Sequence, residues 1–188
     1  MWKNLLWKGL EYHSMENCMV HAAVNGTDIY STIIGTYNNV IYKVDYQIII
    51  NQFWATTFFE IKTRLDNSVQ HISFQSDGKG NWSTDGKPQE KFDGCIDIDI
   101  SLTPFTNTLL VNRLNLSEGE DKLITVLYID ILDGQITPVS QRYTRLSRKK
   151  YKYQNVPNDF ESVISVDESG LVEDYPDLFK RIAVREGN

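Results

Sequence analysis

The densest run of reactive side chains is Gly94-Cys95-Ile96-Asp97-Ile98-Asp99-Ile100-Ser101-Leu102. Alternation sets Ile96, Ile98, Ile100 and Leu102 on one face of a strand, with Cys95, Asp97, Asp99 and Ser101 on the other. If the isoleucines face a core, both carboxylates face solvent or a polar cavity. Two residues of strand rise separate them by roughly 7 Å. That spacing suits a shared divalent cation, or acid and base in glycoside hydrolysis. An ordinary outward strand face has the same pattern.

Thr103-Pro104-Phe105-Thr106-Asn107-Thr108 follows directly. Its proline and its hydroxyl and amide side chains predict an irregular loop that satisfies its own backbone or offers Asn107 to a sugar or headgroup. Arg113 falls on a strand face with Leu109 and Val111, so a buried guanidinium there needs a partner. One of the two aspartates serves, and so does an anionic ligand. Gln141-Arg142-Tyr143 places a second arginine beside an amide and a phenol, as a structural clamp or a binding edge.

Other chemistries find no support. His13, Cys18 and His21 lie close in sequence without a Cys-x-x-Cys or His-Glu-x-x-His spacing, so no metal is expected. Gly78-Lys79-Gly80-Asn81-Trp82 has neither the glycines of a dinucleotide fingerprint nor a P-loop ending, and reads as a hairpin turn. There is no Gly-x-Ser-x-Gly nucleophile elbow. No cofactor and no catalytic residue are assigned, and enzymatic activity is not the expected role.

The elements that position these groups are strands. Turn signals such as Asn25-Gly26, Asn38-Asn39, Asp66-Asn67, Asp85-Gly86, Asp133-Gly134 and Ser169-Gly170 recur at spacings suited to hairpins. Val40, Tyr42, Val44, Tyr46, Ile48 and Ile50 alternate with Lys43, Asp45 and Gln47, as a half-buried strand does. Phe53, Phe59, Ile61 and Leu65 share a face opposite Trp54, Phe58, Glu60 and Lys62. Leu123 to Ile131 is apolar on both faces, as in a strand covered on both sides. Asp174-Tyr175-Pro176-Asp177-Leu178-Phe179-Lys180-Arg181-Ile182 is the best candidate for a short or 3-10 helix, with Pro176 in its first turn. The expected class is all-β with minor helix: a strongly curved antiparallel sheet, because that many strands must curl or split. No composition break divides the chain, so 1–188 is expected to be a single domain.

Charge and composition narrow the partners. Nineteen Lys and Arg against 25 Asp and Glu give a net charge of −6, which argues against nucleic acid or an anionic membrane as the partner. Two cysteines cannot form a disulfide scaffold. The start of the chain has no signal-like apolar stretch, and the run at Ile48-Ile49-Ile50 is far short of a membrane span. A cytoplasmic location and no integral membrane segment are therefore expected, and the sequons at Asn25, Asn81 and Asn115 are read as coincidences. Oligomeric state is not legible.

Ordered landmarks over nearly the whole chain carry a family resemblance. They are Gly9-Leu10-Glu11, Trp54-Ala55-Thr56, Gly80-Asn81-Trp82, Gly94-Cys95-Ile96-Asp97-Ile98-Asp99, Thr103-Pro104-Phe105-Thr106-Asn107-Thr108-Leu109, Arg113-Leu114, Gln141-Arg142-Tyr143, and Asp167 through Phe179. With them the chain resembles the bacterial Putative glycolipid-binding family, formerly a domain of unknown function. The resemblance implies a spiral β-roll similar in shape to lipoprotein carriers, with a concave apolar space. It also implies a non-enzymatic binding protein for an amphipathic ligand, a glycolipid. Apolar lining for acyl chains and a few polar groups at the mouth are what such a site needs. Trp54, Phe58, Trp82 and Tyr143 are candidates for lining or sugar stacking, and Asp97, Asp99, Asn107, Arg113, Gln141 and Arg142 for the rim. A core of buried aromatics with a structural ion-pair network accounts for the same residues. A hydrolase using Asp97 and Asp99, or an interaction domain without ligand, are the alternatives. Leu110, Asn112 and Asn51 depart from the family's frequent proline, basic and acidic residues, which weakens a headgroup site built on paired basic side chains.

Overall fold

The computed structural model describes residues 1–187. Strands β1 (Trp2–Gly9), β2 (Ser14–Ala23), β3 (Gly26–Tyr37), β4 (Val40–Asn51), β5 (Thr56–Leu65), β6 (Ser68–Ser76), β7 (Trp82–Thr84) and β8 (Lys87–Pro88) form an antiparallel meander. After a 3-10 turn at Glu90–Phe92 come β9 (Ile98–Ile100), helix α1 (Phe105–Leu114), β10 (Asp121–Asp130) and β11 (Gln135–Ser147). Then follow β12 (Lys150–Val156), β13 (Glu161–Val166), β14 (Val172–Tyr175) and β15 (Phe179–Gly187). All fifteen strands belong to one curved, open sheet in the order 8-7-6-5-4-3-2-1-15-14-13-12-11-10-9. Every neighbouring pair is antiparallel except β9 and β10, which run parallel. The first and last strands thus meet in the middle, Trp2 opposite Gly187. The end strands β8 and β9 are two and three residues long, so most of the outer edge of β6 and of β10 has no strand beside it.

Alternation explains most strands. In β4, Tyr42, Val44, Tyr46, Ile48 and Ile50 are buried and the residues between them are not. Two apolar clusters make up the core. One is built on β1 to β6 with β9 and the inner face of β10, and the other on β11 to β15. Helix α1 lies between them: Phe105 and Leu109 enter the first cluster, Leu110 and Val111 the second. Its residues Phe105 through Val111 are all buried, as for a helix enclosed by its own sheet.

Five sequence expectations change here, the last in part. Thr103–Thr108 is not an irregular loop, because Phe105 opens α1. Thr and Asn are poor helix formers because their side chains compete for nearby backbone, but here those side chains are used elsewhere. Thr106 Oγ1 donates to Asp99, Asn107 accepts from Tyr143, and Thr108 Oγ1 accepts from the Val172 N–H. Arg113 accordingly sits in the last turn of a helix rather than on a strand, and Asn115 ends that helix in a left-handed conformation at φ 42°. Residues 174–182 form no helix. They are the end of β14, a turn with Asp177 at φ 66°, and the start of β15, whose backbone groups pair with β1. Phe53 is 70% exposed in the turn before β5. Coverage of β10 on both faces holds at its centre, where consecutive Val126 and Leu127 are buried in different clusters, but Leu123 is exposed.

Candidate functional site

The face of β9 that carries Asp97 and Asp99 is covered by α1 rather than by solvent. Ile98, Ile100 and Leu102 point into the first apolar cluster. Asp97 is fully buried, and Arg113 clamps it with two donors, Nε to Oδ1 at 2.7 Å and a terminal nitrogen to Oδ2 at 2.5 Å. Burial pushes this carboxyl up, and the guanidinium pulls it back. With both oxygens taken, Asp97 does not pair with Asp99 around one ligand.

Asp99 is held from the other end of the helix. Thr106 Oγ1 donates to its Oδ1 at 2.9 Å, and Gln141 Nε2 donates to its Oδ2 at 2.6 Å. Its pKa is raised because burial outweighs these two donors. Gln141 is 1% exposed, and its Oε1 has no hydrogen-bond partner. The Asp99 contact fixes the amide orientation, since a flipped amide would set oxygen against carboxylate.

Asp99 and Gln141 line a cavity of about 500 Å³. Ser101, Thr103 and Asn107 continue its polar side from β9 to the start of α1. The same cavity is lined by a belt of aromatic rings: Tyr12 from the β1–β2 turn, Phe179 and Tyr175 from the ends of β15 and β14, Tyr153 from β12 and Phe160 from the β12–β13 loop. Successive centroids are 5.9 Å (Tyr12 to Phe179) and 6.2 Å (Phe179 to Tyr175) apart, and Tyr153, Phe160 and Tyr175 form a triangle with sides of 6.1 to 6.3 Å. Tyr128 completes the lining. Its phenol and those of Tyr153 and Tyr175 are raised, first by burial and then by neighbouring carboxylates, Asp99 among them. Tyr12 is pushed up to about 12 by burial and Glu11. All four phenols are neutral at pH 7, with Tyr153 donating to Asn155.

Of the residues picked from sequence, Asp99, Asn107 and Gln141 meet at this cavity. Tyr143 is buried beside it and donates to Asn107 Oδ1 at 2.8 Å. The others lie elsewhere. Trp82 is in the core with its Nε1 donating to the Cys95 carbonyl at 2.6 Å. Trp54 stands at φ 63° in a turn held by Asn51, whose Oδ1 accepts from the N–H groups of Phe53 and Ala55. Arg142 projects from the opposite face of β11 to its neighbours Gln141 and Tyr143, and pairs with exposed Asp121. Arg113 serves Asp97. Asn112 donates to the Thr108 and Ser169 carbonyls, so its departure from a basic residue does not touch the cavity. Cys18 is buried in β2, while His21 on that strand and His13 in the preceding turn are exposed, so the three do not converge.

The aromatic belt was not found by sequence reasoning. Its rings come from segments far apart in the chain, and an alternating Tyr151/Tyr153 looks like any core strand. The one local signal is Asp174-Tyr175-Pro176-Asp177-Leu178-Phe179, which in the sequence stands as a short-helix candidate and a family landmark rather than as lining.

A family model described as Putative glycolipid-binding matches residues 4–181. A crystal structure of a DUF1089 family protein from Pseudomonas aeruginosa superposes with a TM-score of 0.83 at 33% identity, covering 90% of this chain and 92% of that one. No curated protein matches the chain. Among the described residues no helix is long and apolar enough to cross a membrane.

Proposed function

The chain belongs to the Putative glycolipid-binding family, and from that premise we propose that it binds an amphipathic ligand, a glycolipid, without catalysing a reaction on it. The observation that carries the reading is the mixed lining of the 500 Å³ cavity. Hydrogen-bonding groups from β9, α1 and β11 share it with an aromatic belt from β12, β14 and β15. A sugar ring uses both kinds of group, its hydroxyls on Asp99, Asn107 and Gln141 and its C–H face on a phenol ring. The lipid part then leaves past Val156, Phe160 and Leu178 at the rim. Of the residues picked from sequence, Asp99, Asn107 and Gln141 are the ones assigned to ligand contact. Tyr143 positions Asn107. The hydrolase alternative is not favoured, because Arg113 occupies the second carboxylate it requires.

Native mass spectrometry of freshly purified protein tests this. A co-purified lipid mass, reduced or lost in a variant of the exposed lining residue, Phe160→Ala, whose melting temperature stays near that of the wild type, is the expected result. Titration with octyl glucoside, followed by quenching of tyrosine and tryptophan emission, supplies the second arm. No retained lipid and no saturable response to the glucoside would refute the reading.

A further inference from the structure

The charge lining the cavity is one-sided. Asp99 lies in its wall, and Glu11 and Asp159 stand exposed at its rim. No lysine, arginine or histidine lines it, and none of these three carboxylates has a salt-bridge partner among the described residues. The arginines that sequence reasoning offered for an anionic headgroup are bound elsewhere, Arg113 by Asp97 and Arg142 by Asp121. A second observation points the same way. Gln141 is 1% exposed, and its Oε1 is an acceptor with no donor, beside the Asp99 carboxylate that already takes its Nε2–H. The lining therefore carries negative charge and an unpaired acceptor with no cation beside them, together with aromatic rings whose π faces attract cations.

We propose that this cavity selects an amphiphile whose headgroup carries a protonated primary amine, as an amino sugar does, over neutral and anionic counterparts. The proposal rests on the binding role given above and specifies its ligand class. An ammonium in the cavity is met by the Asp99 carboxylate, beside which the Gln141 Oε1 dipole adds to the negative potential, and by the Tyr153 and Tyr175 rings. A phosphate or carboxylate headgroup would meet like charge and no cationic side chain.

The test compares octyl glucoside, its 2-amino-2-deoxy counterpart, octylamine and octyl phosphate by calorimetric titration at pH 7 and low salt. The amino glycoside should bind about tenfold or more tightly than the glucoside, the scale of one charge-assisted hydrogen bond, and the phosphate most weakly. Asp99→Asn should reduce the ratio of the amino-glycoside and glucoside affinities to under about threefold, any loss of sugar contact weakening both ligands alike. Should that variant fold poorly, the wild-type ranking decides alone. Octylamine matching the amino glycoside would support amine recognition and show that the sugar is dispensable. Equal affinity for glucoside and amino glycoside would overturn this inference and leave the binding role standing. Tightest binding of the phosphate would also overturn it, and binding of none of the four would overturn both.

Discussion

Glu16 on β2 is a carboxyl in the apolar core, 2% exposed, and its two oxygens are treated very differently. Oε1 accepts from Ser31 Oγ at 2.8 Å, Tyr46 OH at 2.7 Å and Thr103 Oγ1 at 2.8 Å, while Oε2 has no partner. Burial outweighs the three donors and raises the pKa from 4.5 to about 7. A carboxyl raised by folding favours the native state while it is protonated. Its contribution is complete below the unfolded-state value of 4.5 and is lost as pH rises through about 7. At 1.36 kcal/mol per tenfold change in proton affinity, the loss comes to about 3 kcal/mol at pH 8 and less than about 1 kcal/mol at pH 5. Glu16→Gln isolates this effect. Glutamine keeps the Oε1 acceptor and, like the protonated acid, sets a proton-bearing atom where Oε2 stands. The variant should be close to wild type in urea denaturation at pH 5 and more stable by about 3 kcal/mol at pH 8, or roughly 10 °C in melting temperature for a chain of this size. Taking the difference between the proteins at each pH cancels the titration of Asp97 and Asp99. A variant-minus-wild-type difference constant to within about 0.5 kcal/mol from pH 5 to pH 8 would show that Glu16 is not the group described.

Three further outcomes are expected. Arg113→Ala strands the buried Asp97 carboxylate and should cost about 3 to 5 kcal/mol, whereas Arg142→Ala breaks an exposed pair with Asp121 and should cost less than about 1 kcal/mol; equal melts for the two variants would contradict the placement of Arg113. Trp82→Phe removes the donor to the buried Cys95 carbonyl and should destabilise by about 1 to 3 kcal/mol, read from denaturant midpoints. Gly80→Ala places a Cβ 2.9 Å from the Gly94 backbone at a φ of 96°, so a loss of about 2 kcal/mol or more is expected, and a stability equal to wild type would disprove that close approach.

These substitutions also show why the family landmarks were visible before their roles were. Gly80, Trp82, Gly94 and Cys95 were legible as motifs, and the structure joins them in one clamp: the Gly94 N–H donates to the Gly80 carbonyl and Trp82 reaches Cys95. Gln141-Arg142-Tyr143 was legible as a polar cluster. The pleat splits it, with Gln141 and Tyr143 inward and Arg142 outward on its own salt bridge.

The chain's local pattern specifies the strands, because period-two alternation and turn residues act between near neighbours. Tyr42 to Ile50 and Ile98 to Leu102 bury the faces their patterns predict. It determined the family for a related reason, since short ordered motifs need no folding to be read. Tertiary structure alone decided that Thr103 to Leu114 leads into a helix, because the sheet supplies distant partners for Thr106, Asn107 and Thr108 that their local propensities cannot anticipate. It alone decided which carboxylate meets Arg113, since that choice depends on where α1 crosses β9. The cavity too exists only after folding. Tyr12, Tyr153 and Tyr175 are far apart in the chain and converge because the curved sheet pairs β1 with β15 and brings the ends of β12 and β14 beside them.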